Sequence, residues 1–303
     1  GGSFMYPMGE DKMAIGFVLG LDYTDSRVSP HDLLQQFKTH KRVRALLEGG
    51  KRLAWGAKTI PSGGYWSMPS RLWVPGMCVA GDAASMVNVP QLKGIHYAML
   101  AGIYAAEAIA EQIVRTGRVD DLSAYDHAVR ASVIEKDLYR SRNMRQVFSD
   151  WGFFLGGAIA NLMEATGGRI PGGQWSSERD SDVAIFTSKQ PRPYPKPDGK
   201  LTFDKLSSVF ATGNETRDTA PNHIRVRREV PYELAKAWQN MCPAGVYEVD
   251  EADDERVAAS GNLGDLVTVA LAPSNCVQCG AITAKGGRLT PPEGGDGPAY
   301  QMT

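Results

Sequence analysis

The sequence predicts a mixed fold, α/β through its first half and α+β in its last third, and three observations carry that expectation. A short apolar run, Met77-Cys78-Val79-Ala80, ends at Gly81-Asp82 and leads through Asn88-Val89-Pro90 into a long Ala-rich stretch of helical character from Gly94 to about Arg115. The segment Ser188 to Gly199 holds four prolines, which break regular structure and mark a domain boundary. Beyond it the character changes to short apolar runs, such as Leu266-Val267-Thr268-Val269-Ala270, set between Pro and Gly turns.

Taken in order, Tyr6 to Leu21 carries two apolar stretches around Gly9-Glu10-Asp11 and predicts a hairpin. Ser29-Pro30-His31-Asp32 then supplies an N-cap, a proline at the first helical position and an acid at N3. Leu33, Leu34 and Phe37 recur behind it at helical spacing, and Gly49-Gly50 closes the region. Lys51 to Ile60 is strand-like, Gly63-Gly64 turns it, and Met77 to Ala80 is expected to be a short buried strand. After the Ala-rich helix, a second and more polar one is expected from about Leu122 to Arg145.

Trp151 to Met163 is thirteen residues without a charge. A crossing helix needs about 20 apolar residues, so the run is either a core helix or a segment dipping into one leaflet. Lys136, Arg140, Arg142 and Arg145 stand just upstream, where anionic headgroups would meet an inserted segment.

The 33 basic and 34 acidic residues nearly cancel, which excludes the charge excess of a general nucleic-acid binder. Apolar residues at 43% and charged residues at 22% exclude a disordered, fibrous or polytopic membrane chain. Four cysteines are too few for a disulfide scaffold of this length, so a reducing compartment is expected. The first residues show no initiator Met and no signal-type segment, and no G-x-G-x-x-G follows a strand. The chain is therefore expected to be part of a longer protein, with a nucleotide fingerprint upstream.

Two constellations carry chemistry. In the first, Gly81-Asp82 after a strand, then Asn88, Pro90 and Gly94 before a helix, suits a flavin dinucleotide. An Asp accepts hydrogen bonds from cofactor hydroxyls, and a Gly opens the helix N-terminus to a pyrophosphate. An ordinary loop with Asp82 as an N-cap fits the same pattern, and Cys78 is expected to be a core residue. In the second, Cys242-Pro243 and Cys276-Val277-Gln278-Cys279 reproduce parts of the ferredoxin run C-x₂-C-x₂-C-x₃-C-P. Position 282, where the next cysteine is due, is Ile282. Zinc is the competing reading, although three thiolates without a nearby histidine make a poor structural zinc site. His223 is expected to be a structural loop residue.

With these motifs stand Gly1-Gly2-Ser3-Phe4, Leu47-Glu48-Gly49-Gly50-Lys51-Arg52, Lys93-Gly94-Ile95-His96, Tyr194-Pro195-Lys196-Pro197-Asp198-Gly199, Cys242-Pro243-Ala244-Gly245-Val246-Tyr247-Glu248 and Pro292-Glu293-Gly294-Gly295-Asp296-Gly297-Pro298. Together they resemble the electron-transfer flavoprotein:ubiquinone oxidoreductase family, C-terminal portion, over essentially the whole chain. The resemblance implies a partial FAD-binding fold of the glutathione-reductase-like type, a β-sheet quinone-binding region and a C-terminal ferredoxin-like domain. It implies ubiquinone-binding chain over 1–70 returning to the FAD domain, the end of that domain over 71–120, a helical region with a membrane-dipping segment over 121–187, and the iron–sulfur domain over 188–303.

It further implies FAD contacts at Gly81, Asp82, Asn88, Pro90 and Gly94, quinone contacts from the Gly1 and Gly2 backbone, and cluster ligation by Cys242, Cys276 and Cys279. Leaflet insertion of Trp151 to Met163 follows from it as well, with Phe153, Phe154, Leu155 and Ile159 supplying apolar area. The implied partners are reduced electron-transfer flavoprotein and ubiquinone. The implied place is the inner membrane surface, on the cytoplasmic face in a bacterium or the matrix face in a mitochondrion. Ile282 departs from the family's four cluster cysteines, and Gly280 to Thr290 is shorter than usual. Three thiolates leave a three-iron cluster, or a four-iron cluster with water or another group on its last iron. A FixC or geranylgeranyl-reductase type flavoprotein shares the Gly-Asp motif but not the cysteines. A ferredoxin-like electron-transfer module is the non-catalytic alternative.

Overall fold

The structure, a computed structural model, describes residues 1–169, 173–175, 179–185, 192–215, 217 and 223–285. It divides into two compact units, Gly1–Thr59 with Glu178–Thr303, and Ile60–Ser177.

The expected hairpin is present. β1 (Gly2–Pro7) and β2 (Met13–Val18) pair antiparallel, with Gly2 opposite Val18 and Pro7 opposite Met13, and Gly9 takes φ 79° in the turn. The helix signal is also met: the Ser29 hydroxyl accepts the Asp32 N–H at 3.2 Å and Pro30 opens α1 (Pro30–Thr39). Ser29→Ala is expected to lower stability by about 1 kcal/mol, read as a lower thermal midpoint without a change of fold. α2 (Lys41–Leu47) follows a break at His40.

Residues 51–60, expected to be strand-like, join no sheet. Their N–H groups are taken up by distant loops instead, Trp55 by Ala211 O at 3.1 Å and Thr59 by Cys279 O at 2.9 Å.

In the second unit, β3 (Trp73–Val74) and β4 (Met77–Cys78) form a two-residue ladder turned by Gly76. The strand expected over Met77 to Ala80 is therefore shorter and less buried than its composition suggested: Met77 is 58% exposed and Cys78 half-buried, because its only ladder partner is β3. A 3-10 turn over Gly81–Ala84 precedes α3 (Ile95–Thr116), which Gly117 ends at φ 70°. Tyr97, Ala101, Ala105 and Ala108 recur at helical spacing and bury one face of α3 against Leu72, Met86, Leu122 and Tyr125.

The polar helix expected over 122–145 is broken twice. α4 (Ser123–Ala131) and α5 (Val133–Arg140) part at Ser132, whose backbone is extended and whose hydroxyl donates to Val129 O while accepting the Ile134 N–H. The side chain offers the backbone an alternative to the helical ladder. α6 (Met144–Ala165) then follows, interrupted at Gly152 (φ 68°, ψ −172°). The chain doubles back there so closely that a Cβ on Gly156 would lie 2.8 Å from Val147 O. Met144, Val147, Ala160 and Met163 form a small core between the two arms.

The C-terminal part of the first unit adds α7 (Lys205–Phe210), β5 (Glu229–Pro231), α8 (Tyr232–Met241), β6 (Tyr247–Val249), α9 (Glu251–Ser260) and β7 (Leu266–Leu271). The apolar run at Leu266 is the middle strand of an antiparallel sheet ordered β5-β7-β6. Its core holds Trp238, Tyr247, Val267, Val269 and Val277. Small sheets with packed helices are an α+β arrangement. The Pro292 to Pro298 string and the first part of the proline-rich boundary lie outside the described residues.

Candidate functional site

The cysteine site is built by α8 and the loop after β7. Cys242 closes α8, its N–H donating to Trp238 O at 3.0 Å, and is 7% exposed. Cys276 is buried and Cys279 packs on the same core cluster, as does Ile282. In the C-x-x-C loop Gln278 takes φ 51°, which turns its N–H onto Cys276 Sγ at 3.3 Å, and Gly280 follows at φ 79°. A left-handed backbone at a non-glycine is uncommon, and here it aims a donor at a sulfur. The Cys279 carbonyl accepts both the Thr59 N–H and its hydroxyl, which ties the loop down.

The thiols feel one another. Burial, then Cys242 and to a lesser degree Cys276, push the Cys279 thiol up to about 12. Burial foremost, then Cys242, Cys276 and Cys279, hold the Tyr247 hydroxyl far above its ordinary value. Without metal, Cys279 therefore keeps its proton at neutral pH, and coordination must displace it. None of the four cysteines forms a disulfide.

Among the described residues no three His, Cys, Asp or Glu side chains converge on a position for a single metal ion. In an iron–sulfur cluster each thiolate binds its own iron, so the sulfurs stand apart around the cluster instead of meeting at one point. Two buried thiols, a third that is half-buried and an N–H aimed at one of them fit such a cluster, and Ile282, apolar and 6% exposed, contributes no fourth donor.

The segment from Gly81 to Gly94 forms one loop in the other unit. Gly81 takes φ 62°, and a Cβ there would lie 2.9 Å from Ala98 Cβ, so the close approach to α3 requires glycine. Gly94 is the N-cap of α3 and no side chain caps that helix. The alternative that made Asp82 an ordinary N-cap is thus absent: its Oδ1 lies 3.2 Å from the Cβ position of Gly94, beside the helix N-terminus, and the residue is exposed. Asn88, buried, bridges Lys93 through paired backbone bonds of 2.7 and 3.1 Å and accepts the Gln91 N–H on Oδ1. Pro90 is exposed on this loop. A cleft lined by Gly63, Gly64, Val89, Pro90 and Gln146 borders it, and the buried Gln146 Oε1 has no hydrogen-bond partner among the described residues.

Gly1 and Gly2 lie at the open end of the hairpin and are exposed. They belong to the unit that holds the cysteines, whereas Gly81 to Gly94 belong to the other.

The uncharged run does not lie on one straight helix. Trp151, Phe153 and Phe154 sit at the corner around Gly152, with Phe153 79% and Phe154 89% exposed. Ile159, expected among the inserting residues, turns inward onto the core between the arms because the break rotates the second arm back over the first. Arg140 pairs with Glu164 at 3.7 Å, and the Arg142 guanidinium stacks 3.8 Å over Tyr139. No helix among the described residues is long and apolar enough to cross a membrane. Tyr247, in the same string as Cys242, is buried on the same core cluster with its ring centroid 6.0 Å from that of Trp238. His223, expected in a loop, is fully buried.

Residues 1–60 match a family model described as ETF-QO, ubiquinone-binding. Residues 199–301 match one described as electron transfer flavoprotein-ubiquinone oxidoreductase, 4Fe-4S. The chain belongs to the electron transfer flavoprotein-ubiquinone oxidoreductase family. Relatives carrying that name include the mitochondrial protein of Caenorhabditis elegans, 35% identical over 99% of this chain and 52% of its own length. The Pseudomonas aeruginosa protein is 36% identical over 99% of this chain and 55% of its own length. The human mitochondrial protein is 34% identical over 99% and 50%. The chain spans about half the length of the curated relatives it matches.

Proposed function

We propose that this chain serves an oxidoreductase that passes electrons from reduced electron-transfer flavoprotein, through FAD and an iron–sulfur cluster, to ubiquinone at a membrane surface. The observation that carries the reading is the set of three cysteines on one core cluster, Cys242 and Cys276 buried and Cys279 half-buried, within the segment matched as a 4Fe-4S domain, in one chain with a segment matched as ubiquinone-binding. A flavin exchanges one or two electrons and a cluster exchanges one, so the pair joins a one-electron protein donor to a two-electron quinone acceptor.

In this reading Cys242, Cys276 and Cys279 hold the cluster, and Gly1 and Gly2 offer backbone groups to the quinone. Gly81, Asp82, Asn88, Pro90 and Gly94 hold FAD on a partial fold of the glutathione-reductase-like type. The uncapped N-terminus of α3 supports the flavin assignment, since it offers N–H groups to a pyrophosphate beside a carboxylate placed for hydroxyls. The exposed aromatic corner of α6 supports contact with one leaflet, on the matrix face of a mitochondrial membrane or the cytoplasmic face of a bacterial one.

The test is anaerobic purification with iron, acid-labile sulfide and flavin analysis, followed by reduction of a short-chain ubiquinone by reduced electron-transfer flavoprotein. Protein that carries neither iron nor flavin and does not reduce the quinone overturns the reading. Asp82→Ala is expected to weaken flavin retention through gel filtration at unchanged iron content. Full flavin in that variant would leave Asp82 with no part in binding.

A further inference from the structure

Lys205 is the first residue of α7, directly after the N-cap Asp204, where the helix dipole disfavours a cation. Its side chain leaves that helix and brackets Cys242. Lys205 Nζ donates to Gln239 O at 2.8 Å, three residues before the cysteine, and Lys205 Cβ lies 3.9 Å from the Cβ position of Gly245, three residues after it. The stem thus lies along the Cys242-Pro243-Ala244-Gly245 turn. Burial lowers the ammonium's pKa, and negative charge placed on Cys242, Asp32 or Glu248 acts against this, Cys242 foremost. A half-buried cation gains from a counter-charge, and among the described residues its hydrogen-bond acceptor is a neutral carbonyl.

We propose that Lys205 is a positioning charge for the cluster: its ammonium, fixed beside Cys242, offsets the thiolate charge and raises the reduction potential of the bound iron–sulfur centre. Reduction adds one electron to a centre ringed by anionic sulfur, so a nearby cation favours the reduced form. Lys205 also closes the last turn of α8, a role that stabilises the helix end and leaves a potential unmoved.

The inference rests on the reading that Cys242 ligates the cluster, and the experiment separates the two. Holoprotein with wild-type Lys205, Lys205→Met and Lys205→Arg is purified without oxygen, analysed for iron and sulfide, and titrated redox-potentiometrically with electron paramagnetic resonance detection. Lys205→Met is expected to shift the cluster midpoint downward at unchanged iron content, and Lys205→Arg to keep it near wild type. An unchanged midpoint in a fully loaded Lys205→Met protein overturns the role of Lys205 and leaves the cluster standing. Should Lys205→Met lose iron, restored iron and midpoint in Lys205→Arg support the charge role, and failure of Lys205→Arg overturns it. Wild-type protein without iron overturns the cluster reading itself, and the inference with it.

Discussion

Ile282→Cys is expected to raise the iron and acid-labile sulfide bound per chain and to abolish the three-iron resonance expected of the wild-type protein under mild oxidation. Ile282 is 6% exposed and packs in one core cluster with Cys242 and Cys276, on the 3-10 turn Ala281–Lys285 that leaves the C-x-x-C loop. A thiol at that position lies on the same core cluster as Cys242 and Cys276. With three thiolates, one iron of a cubane lacks a protein ligand and is the first lost to oxidant; a fourth thiolate removes that weak corner.

Ile282→Ala is the control, because it truncates the side chain without adding a donor. A buried Ile→Ala change costs about 2–5 kcal/mol, so this control is expected to melt lower while its iron content stays at the wild-type level or below. Equal iron in the two variants would show that the 3-10 turn holds position 282 out of reach of the metal.

Position 282 also shows how far the sequence reaches. The missing donor was legible, since it follows from the spacing after Cys276 and Cys279. The packing of an isoleucine in that place required the fold. Signals confined to a few residues were met, as at Ser29-Pro30, where cap, proline and first turn are all local. The reading of Lys51 to Ile60 failed for the opposite reason. Its bonding partners, Ala211 and Cys279, lie more than 150 residues away, and an apolar pattern alone does not tell a ladder from a laced loop. The break at Ser132 was local too, yet helix propensity over the flanking residues hid it. Lys205 carried no sequence signal, since a lysine at the start of a helix reads as a solvated one until its amine is seen to turn toward α8.

Phe153→Asp with Phe154→Asp is expected to abolish cosedimentation with phosphatidylcholine and cardiolipin vesicles, while the thermal midpoint in water changes little. Both rings are exposed at the corner of α6, so in water their removal takes nothing from the core, and surface changes of this kind fall within about 0.5 kcal/mol. In a leaflet each ring is worth about 1.5–3 kcal/mol of burial, and the pair about 3–6 kcal/mol, which is a hundredfold to ten-thousandfold in partitioning before the cost of two inserted carboxylates is added. Ile159→Ala supplies the contrast. That side chain packs on the core between the arms of α6, so its loss is expected to lower the midpoint and leave vesicle binding near wild type. The geometry of Gly152 underlies the difference, because its φ of 68° turns Phe153 and Phe154 outward and carries Ile159 back over Met144 and Val147. Undiminished vesicle binding by the doubly acidic protein would remove this corner as the membrane contact. Binding lost only with Ile159→Ala would mean that the helical pair has to unfold before it meets lipid.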